Sequence, residues 1–216
     1  MKLLSVEQAR SIWLFPTADV NPTGKFIGPI FADLIKIYKF GSVPNLPEAI
    51  KKNAGVQFSV GMFNSPKHGP INADVGIFND GLIGDTRTDT DTTDEFLDDI
   101  LTRGKKEMGL EYPANIRKQY ASKVHVEVSK SLNSLNSKLE MFAKHISEKS
   151  PGFSNATYQL GGINFVAEQV GPLASQVFRF EKVENVPFST NRYYSFAAMR
   201  TTDHLELLAQ LEAILR

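Results

Sequence analysis

The chain has 216 residues, of which 42% are hydrophobic and 22% are charged, an ordinary composition for a globular protein with a buried core. Its 24 basic and 24 acidic side chains cancel, so general binding to nucleic acid is not expected, because such binding relies on an excess of positive charge. The absence of cysteine excludes disulfides, thiolate nucleophiles and cysteine-ligated zinc or iron–sulfur centres.

Two features of the sequence bear on where the protein works. The segment Met1–Arg10 turns polar too early for a signal peptide. No uninterrupted apolar run approaches the ~20 residues that a membrane span requires. We therefore expect a soluble, cytoplasmic protein that does not bind membranes.

The first part of the chain predicts a strand followed by helices. The apolar run Ser11–Pro16 is rich in aromatic and β-branched residues and ends in proline, which favours a strand over a short helix. Apolar residues at helical spacing predict a helix over Pro29–Lys39, with proline near its start. A further helical turn is expected over Glu48–Asn53, before Gly55 stops it.

A hairpin and a helix come next. The run Val56–Phe63 alternates in polarity and places four apolar side chains on one face: Val56, Phe58, Val60 and Met62. The loop Asn64–Pro70 leads to a returning strand over Ala73–Phe78, which breaks at 79–81 and resumes through Ile83. The helix that follows carries an apolar stripe made by Phe96, Leu97, Ile100 and Leu101.

The second half predicts a similar mixture. Three valines alternate with His125 and Glu127 in a half-buried strand, and they should point inward: Val124, Val126 and Val128. A helix follows whose apolar face comprises Leu132, Leu135, Leu139, Phe142 and Ile146. Further strands are predicted over Tyr158–Glu168, Val177–Glu181 and Tyr193–Met199, before a C-terminal helix.

Together these elements predict a single α+β domain over residues 1–216. We expect a mainly antiparallel sheet of six or seven strands, with about four helices packed on one face. The segments Thr92–Leu97 and Thr201–Glu206 echo each other 109 residues apart, each after a strand and at a helix start. The echo indicates either a duplication, with halves near 1–108 and 109–216, or repeated use of threonine and aspartate as helix caps.

An acidic segment between Asp85 and Asp99 concentrates seven carboxylates in fifteen residues. Four of them could surround Mg²⁺ or Ca²⁺ if the chain loops, namely Asp85, Asp89, Asp91 and Asp94. The glycine and closing glutamate of an EF-hand are missing. The alternative is a heavily capped helix start, with Thr92 and Glu95 as a capping box and the carboxylates favoured by the helix dipole.

Other catalytic signatures are missing from the sequence. Thr23-Gly-Lys25 lacks the first glycine and the hydroxyl residue of a phosphate-binding loop, and no Gly-x-Ser-x-Gly motif occurs. The four histidines have no zinc-binding spacing. His125 could act with a carboxylate of the acidic segment, or it could simply be solvated on the polar face of its strand.

A polar and aromatic cluster lies on two strands near the C-terminus. Its members are Arg179, Arg192, Tyr193 and Tyr194, with Phe188 in the connection between the strands. Arginine and tyrosine are enriched in protein interfaces and in ligand pockets. The alternative is a ladder of exposed cross-strand pairs on the open face of the sheet.

These observations favour a non-enzymatic binding or assembly protein that covers its open sheet face with a protein partner or with another copy of itself. A subunit of a phage or bacterial multi-protein system would fit this description. The first alternative is a metal-assisted hydrolase that uses the carboxylates of Asp85–Asp94 with His125. The second is a sensor that binds an anionic small molecule through Arg179 and Arg192. No cofactor is expected other than the possible Mg²⁺ or Ca²⁺.

Overall fold

A computed structural model describes residues 1–45, 55–150, 157–168 and 177–215. The strands are β1 (Lys2–Leu14), β2 (Val56–Ser65), β3 (Gly69–Phe78), β4 (Gly81–Thr86), β5 (Arg117–Glu127), β6 (Gly162–Val166), β7 (Val177–Lys182) and β8 (Arg192–Ala197). The helices are α1 (Thr17–Val20), α2 (Ile27–Tyr38), α3 (Thr90–Met108), α4 (Ser137–Lys149) and α5 (Thr201–Leu215). Short 3-10 turns span Leu132–Leu135 and Phe188–Thr190.

The predicted α+β class with an antiparallel sheet is confirmed. The described residues form one sheet of eight strands, not six or seven, in the order β2-β3-β4-β1-β5-β8-β7-β6, and they form five helices, not four. None of these helices is long and apolar enough to cross a lipid bilayer. The predicted helical turn at 48–53 lies outside the described residues.

One extra strand comes from a tight turn after Phe78. The sequence suggests a single interrupted strand there, but the chain reverses, so that Phe78 pairs with Gly81 and β3 runs antiparallel to β4. Gly81 has a φ of 145°, and a Cβ at this position would lie 1.9 Å from the carbonyl oxygen of Trp13. Only glycine fits this turn, because any side chain would collide with β1.

Contacts divide the chain into two compact units. The N-terminal unit comprises residues 7–122 together with 199–201, and the C-terminal unit comprises 1–6, 123–198 and 202–216. Apart from the short α1 and the 3-10 turns, the described parts of both halves have the same element order: strand, helix, three strands, helix. Their strand orders also match, β2-β3-β4-β1 in one and β6-β7-β8-β5 in the other. A duplication would produce this repetition, and both the duplication and the single-domain organisation stay predictions.

The two helix starts align differently in the structure from the repeated segments Thr92–Leu97 and Thr201–Glu206 in the sequence. Helix α3 begins at Thr90 and helix α5 at Thr201, which are 111 residues apart, whereas the sequence echo aligned Thr92 with Thr201. The backbone N–H of Thr90 donates to Thr201 Oγ1 (3.3 Å), and the N–H of Thr201 donates to Thr90 Oγ1 (3.1 Å). Each threonine therefore satisfies a backbone donor that the other helix start leaves without an intrahelical partner.

The core of the N-terminal unit is largely aromatic. Tyr38 and Phe96 meet edge to face with ring centroids 5.3 Å apart, and Phe31 meets Phe58 at 5.5 Å. The predicted stripe of α3 is confirmed, since its four apolar side chains, Phe96, Leu97, Ile100 and Leu101, are all buried. Helices α2 and α3 therefore bury their apolar faces against the strands of this unit.

The alternation predicted for β2 is wrong in its second half. Val56 and Phe58 are buried, but Val60 and Met62 are 57% and 51% exposed. The β2–β3 register shifts between Phe58 and Gly61, where Val60 takes a φ of 58°. This β-bulge inserts one residue, so the inward-facing positions after it are Gly61, Phe63 and Ser65.

The core of the C-terminal unit confirms the valine alternation. Val124, Val126 and Val128 are buried. The helix expected over Leu132–Ile146 is divided into a 3-10 turn and α4, because the side chain of Asn136 caps a new helix by accepting from Lys138 N (2.9 Å). The apolar period does not continue across that break. The buried residue of α4 is Ala143, while Leu139 and Phe142, which the sequence placed inward, are exposed.

Helix α3 starts three residues earlier than the capping box of Thr92 and Glu95 predicts. Asp89 is its N-cap, with Oδ1 accepting from the backbone N–H of Thr92 (2.7 Å). Partial burial raises the pKa of Asp89, but hydrogen bonds from Lys67 and Thr92 outweigh this effect and hold the pKa well below its usual range. The hydroxyl of Thr92 is buried and has no hydrogen-bond partner among the described residues.

We predict different effects for substitutions at two positions of this helix start, Asp89 and Thr92. Asp89→Ala should lower the free energy of unfolding by about 1–2 kcal/mol, because it removes the cap, and Asp89→Asn should lose less. Thr92→Val keeps the shape of the side chain and removes a buried hydroxyl without a partner, so it should be close to neutral. Urea denaturation of the three variants tests this, and a Thr92→Val loss equal to that of Asp89→Ala would restore Thr92 as the cap.

Candidate functional site

One face of the sheet in the C-terminal unit carries polar and aromatic side chains. They alternate along the strands with the buried residues of the core, because successive residues of a strand point to opposite sides. In β8, Tyr193, Ser195 and Ala197 point inward and are buried. The opposite side, which we call the open face, comprises Lys123, His125 and Glu127 of β5, Arg192, Tyr194 and Phe196 of β8, and Arg179 and Glu181 of β7.

Tyr194 lies at the centre of the open face. The ammonium of Lys123 is 5.0 Å from the centroid of its ring, and the ring of His125 meets it edge to face at 6.4 Å. Glu181 is its cross-strand neighbour on β7. A cation held over an exposed tyrosine contributes on the order of 0.5–1 kcal/mol, so these contacts hold the ring in place without burying it.

The two arginines flank this centre. Arg179 is the cross-strand neighbour of Phe196, and its side chain is exposed. Arg192 Nε lies 3.4 Å from Glu127 Oε2, and both side chains are about half exposed. An exposed pair of this kind contributes little to stability, so its arginine stays available to other partners.

The residues predicted from the sequence to form one binding site do not all lie on the same side of the sheet. Arg179, Arg192 and Tyr194 share the open face, but Tyr193 points into the core, where its ring stacks on Phe180 at 4.5 Å. Phe188 lies in the turn before β8, where its carbonyl accepts from the ammonium of Lys182 (2.8 Å). Tyr193 is therefore a core residue, and Phe188 belongs to the loop beside the sheet.

Two members of the open face, Lys123 and Phe196, were not predicted from the sequence. Lys123 and Phe196 have the same parity as His125 and Tyr194 along β5 and β8. The alternation of the neighbouring valines fixes which residues of β5 face outward, so it could have identified Lys123.

The four aspartates that could have formed a metal site do not converge. Asp85 accepts a bidentate hydrogen bond from Arg10, with Nε donating to Oδ1 and Nη2 to Oδ2 (2.9 Å each). Asp89 caps α3, and Asp91 pairs with Arg200. In the ranges that the structure describes, no group of three or more histidine, aspartate or glutamate side chains is arranged to hold a metal ion. The carboxylates therefore serve as partners for individual protein groups.

Asp94 shows this role best. Its Oδ1 accepts from Trp13 Nε1 (2.8 Å), and its Oδ2 accepts from Tyr120 (3.0 Å) and lies near Lys118 (3.3 Å) and Arg200 (3.4 Å). Burial and the hydrogen bond to Asp94 raise the pKa of Tyr120 to about 12. A carboxylate with four protein partners is poorly suited to bind a metal or to accept a proton from a substrate.

A serine and a histidine meet inside the C-terminal unit, a pair that the sequence analysis did not identify. Ser195 Oγ and His204 Nε2 are 2.8 Å apart, and both residues are fully buried. Ser195 donates its proton to the carbonyl of Arg179 (2.7 Å), so His204 Nε2 is the donor between the two. The serine proton is directed away from the histidine, and neither side chain reaches the surface, so the pair is structural and not a nucleophile with its base.

Burial lowers the pKa of His204 to about 4, and its Nδ1 has no hydrogen-bond partner among the described residues. The neutral ring makes its full contribution to stability above pH 6.5, the ordinary pKa of histidine. This contribution should be lost as the pH falls towards 4.

We predict an acid-sensitive component of stability that depends on His204. Between pH 7 and pH 4.5 the free energy of unfolding should fall by on the order of 2 kcal/mol through this histidine. The reason is that the unfolded chain binds a proton at His204 over this interval and the folded chain largely does not. His204→Gln keeps a donor for Ser195 and cannot titrate, so its stability should fall less over this interval. Urea denaturation at the two pH values measures the difference, and equal losses in the variant and the unmodified protein would contradict the assignment.

Comparison with known proteins gives a likeness of structure and none of sequence. No protein-family model and no curated protein matches the chain. Among solved structures, the chain is similar to TBP of Methanococcus jannaschii, with 11% identity, a TM-score of 0.48, and coverage of 99% of this chain and 97% of that one.

One expectation from the sequence needs correction, the exclusion of nucleic acid as a partner. It rested on the net charge of zero, and a net charge of zero does not support such an exclusion. Net charge sums over the whole surface, whereas binding depends on the charges of one face.

Proposed function

We propose that this chain is a non-enzymatic binding protein and that the open face of its C-terminal unit is the contact surface. The observation that carries the proposal is the combination of two aromatic rings, Tyr194 and Phe196, with three cationic side chains on one sheet face. Helix α5 buries Leu208 and Leu215 against the other side of the strands. An antiparallel sheet with one packed face leaves its second face to solvent or to a partner.

The side chains of the open face are of the kinds that anchor interfaces. Tyrosine and arginine are enriched among the residues whose truncation costs most in binding. Tyr194 and Phe196 are partly exposed, so a partner would remove their remaining apolar surface from water at about 25 cal/mol per Å². Lys123 and His125 fix the ring of Tyr194 before any partner arrives, which reduces the entropy lost on binding.

The charges of the open face favour a protein surface as the partner. Lys123, Arg179 and Arg192 are interspersed with Glu127 and Glu181 on the same three strands. Both glutamates would repel a uniform polyanion. A protein surface can instead place acidic groups against the cations of the open face and basic groups against its glutamates. Nucleic acid is the competing outcome of the experiment described below.

The two other functions considered from the sequence receive less support. The hydrolase requires carboxylates that converge, but each of the four aspartates already binds other protein groups. The anion sensor requires both arginines at one ligand. Arg179 faces Phe196, four residues along β8 from Arg192, which places the two backbones ~13 Å apart at 3.3 Å per residue.

A photo-crosslinking residue placed at position 194 or at position 210 tests the proposal. Tyr194 lies on the open face, and Gln210 is an exposed residue of α5 in the same unit. Crosslinks to a protein from position 194 but not from 210, in the cells that make this chain, would support the proposal. Crosslinks to nucleic acid would reassign the partner class. Absence of crosslinks from position 194, together with a concentration-independent monomer in sedimentation, would reject the open face as a contact surface.

Truncation should affect binding at Tyr194 but stability at the adjacent Tyr193. The double substitution Arg192→Ala, Tyr194→Ala should weaken partner binding or self-association by at least ~2 kcal/mol and change the free energy of unfolding by less than about 1 kcal/mol. Tyr193→Ala should instead destabilise the protein by about 3–5 kcal/mol, because it empties a stacked position in the core. Titration calorimetry with the crosslinked partner and urea denaturation measure the two effects.

Tyr193→Phe is the mild control for the core position. It keeps the ring and removes only the hydroxyl that accepts from the backbone N–H of Leu132 (3.2 Å), so it should cost about 1 kcal/mol. Destabilisation by the open-face double substitution, with binding unchanged, would show that Arg192 and Tyr194 are structural residues.

A further inference from the structure

The N-terminal unit contains an apolar cavity of about 230 Å³ that plays no part in the proposed open-face binding. Side chains from α2, α3 and the adjoining strands line it, among them Phe15, Phe31, Leu34, Leu82, Leu101 and Met108. Every lining residue that the structure describes belongs to the N-terminal unit, and none of these carries a charged side chain. The cavity is therefore an apolar space inside one unit.

The end of α3 keeps this space open. Gly104 faces it without a side chain, and α3 stops at Gly109, which has a φ of 63° and lets the chain turn back so that Leu110 N donates to Gly104 O (3.0 Å). The ammonium of Lys25 donates to Gly109 O (2.6 Å), and the N–H of Glu111 donates to Val20 O (2.8 Å). These bonds tie the end of α3 to the segment before α2 and oppose collapse of the cavity.

The polar groups of the lining are already engaged. Thr17 Oγ1 donates to Asn79 O (2.9 Å), and the side chain of Asn21 bonds both ways to the backbone of Lys25 (2.8 and 2.9 Å). A charged ligand would thus lose its hydration without gaining an ionic partner inside the cavity. Water is also a poor occupant, because it needs two to four polar partners.

The size of the cavity indicates what it can hold. Protein interiors rarely keep voids larger than a water molecule. An apolar cavity of ~150 Å³ in another protein stays dry and binds benzene or xenon. We propose that this cavity is a binding site for a small, neutral, predominantly apolar molecule of the size of one substituted ring or a short alkyl chain.

Two isoleucines of α2 provide a matched pair of variants. Ile30 lines the cavity, and Ile35 packs against the same core without lining it. Ile30→Phe should fill the space and weaken binding at least tenfold, whereas Ile35→Phe should change the affinity less than threefold. Titration calorimetry with toluene, indole and 1-octanol measures these affinities, and octanoate and octylammonium serve as charged comparisons.

Methyl NMR of the unmodified protein locates the probe even where a variant folds poorly. Toluene or indole should shift the methyl signals of Leu34, Leu82 and Leu101, which line the cavity, and leave those of Leu208 and Leu215 in the C-terminal unit unchanged. Three results would each overturn the proposal: no neutral probe binds, the charged analogues bind as tightly as 1-octanol, or the shifts fall outside the lining. Unchanged affinity in a folded Ile30→Phe variant would also overturn it.

Discussion

The one-sided burial of an antiparallel sheet is the constraint on which the rest of this structure depends. Each strand has a period of two, so a residue that enters the helix layer puts its neighbours on the opposite side. Tyr193 and Tyr194 show how sharp the division is: one stacks on Phe180 in the core, and the other stands between Lys123 and Glu181 on the open face. Adjacent residues of the same type therefore have separate physical roles.

The same constraint separates the two binding sites that we propose. The open face is polar and aromatic, and its side chains are held by contacts that do not bury them. The cavity lies on the helix side of β2, β3 and β4, where α2 and α3 supply an apolar lining. One site suits a mixed-charge surface, and the other suits a neutral molecule, because the two sides of the strands differ in polarity.

Sequence periodicity predicted the parts of the fold that simple alternation controls. The inward valines of β5 and the apolar stripe of α3 follow directly from their spacing. Prediction failed where one residue changes the phase: the bulge at Val60 moved Met62 outward, and the cap at Asn136 reset α4. The bulge depends on the partner strand and the cap on one side chain at the helix start, and no period in the sequence encodes either. The alternation of β5 could have completed the open face with Lys123, whereas the cavity depends on how separate chain segments pack.

The short segment Met199–Thr201 belongs to the N-terminal unit, although it lies near the end of the chain. It supplies Arg200 to Asp94 and the Thr201 hydroxyl to the first N–H of α3. Residues 7–122 are synthesised before these partners, so the first donor of α3 waits for the Thr201 hydroxyl, whereas Asp94 already has Trp13 and Tyr120 as partners. The last contacts of the unit made first therefore form only after residues 123–198 have been synthesised.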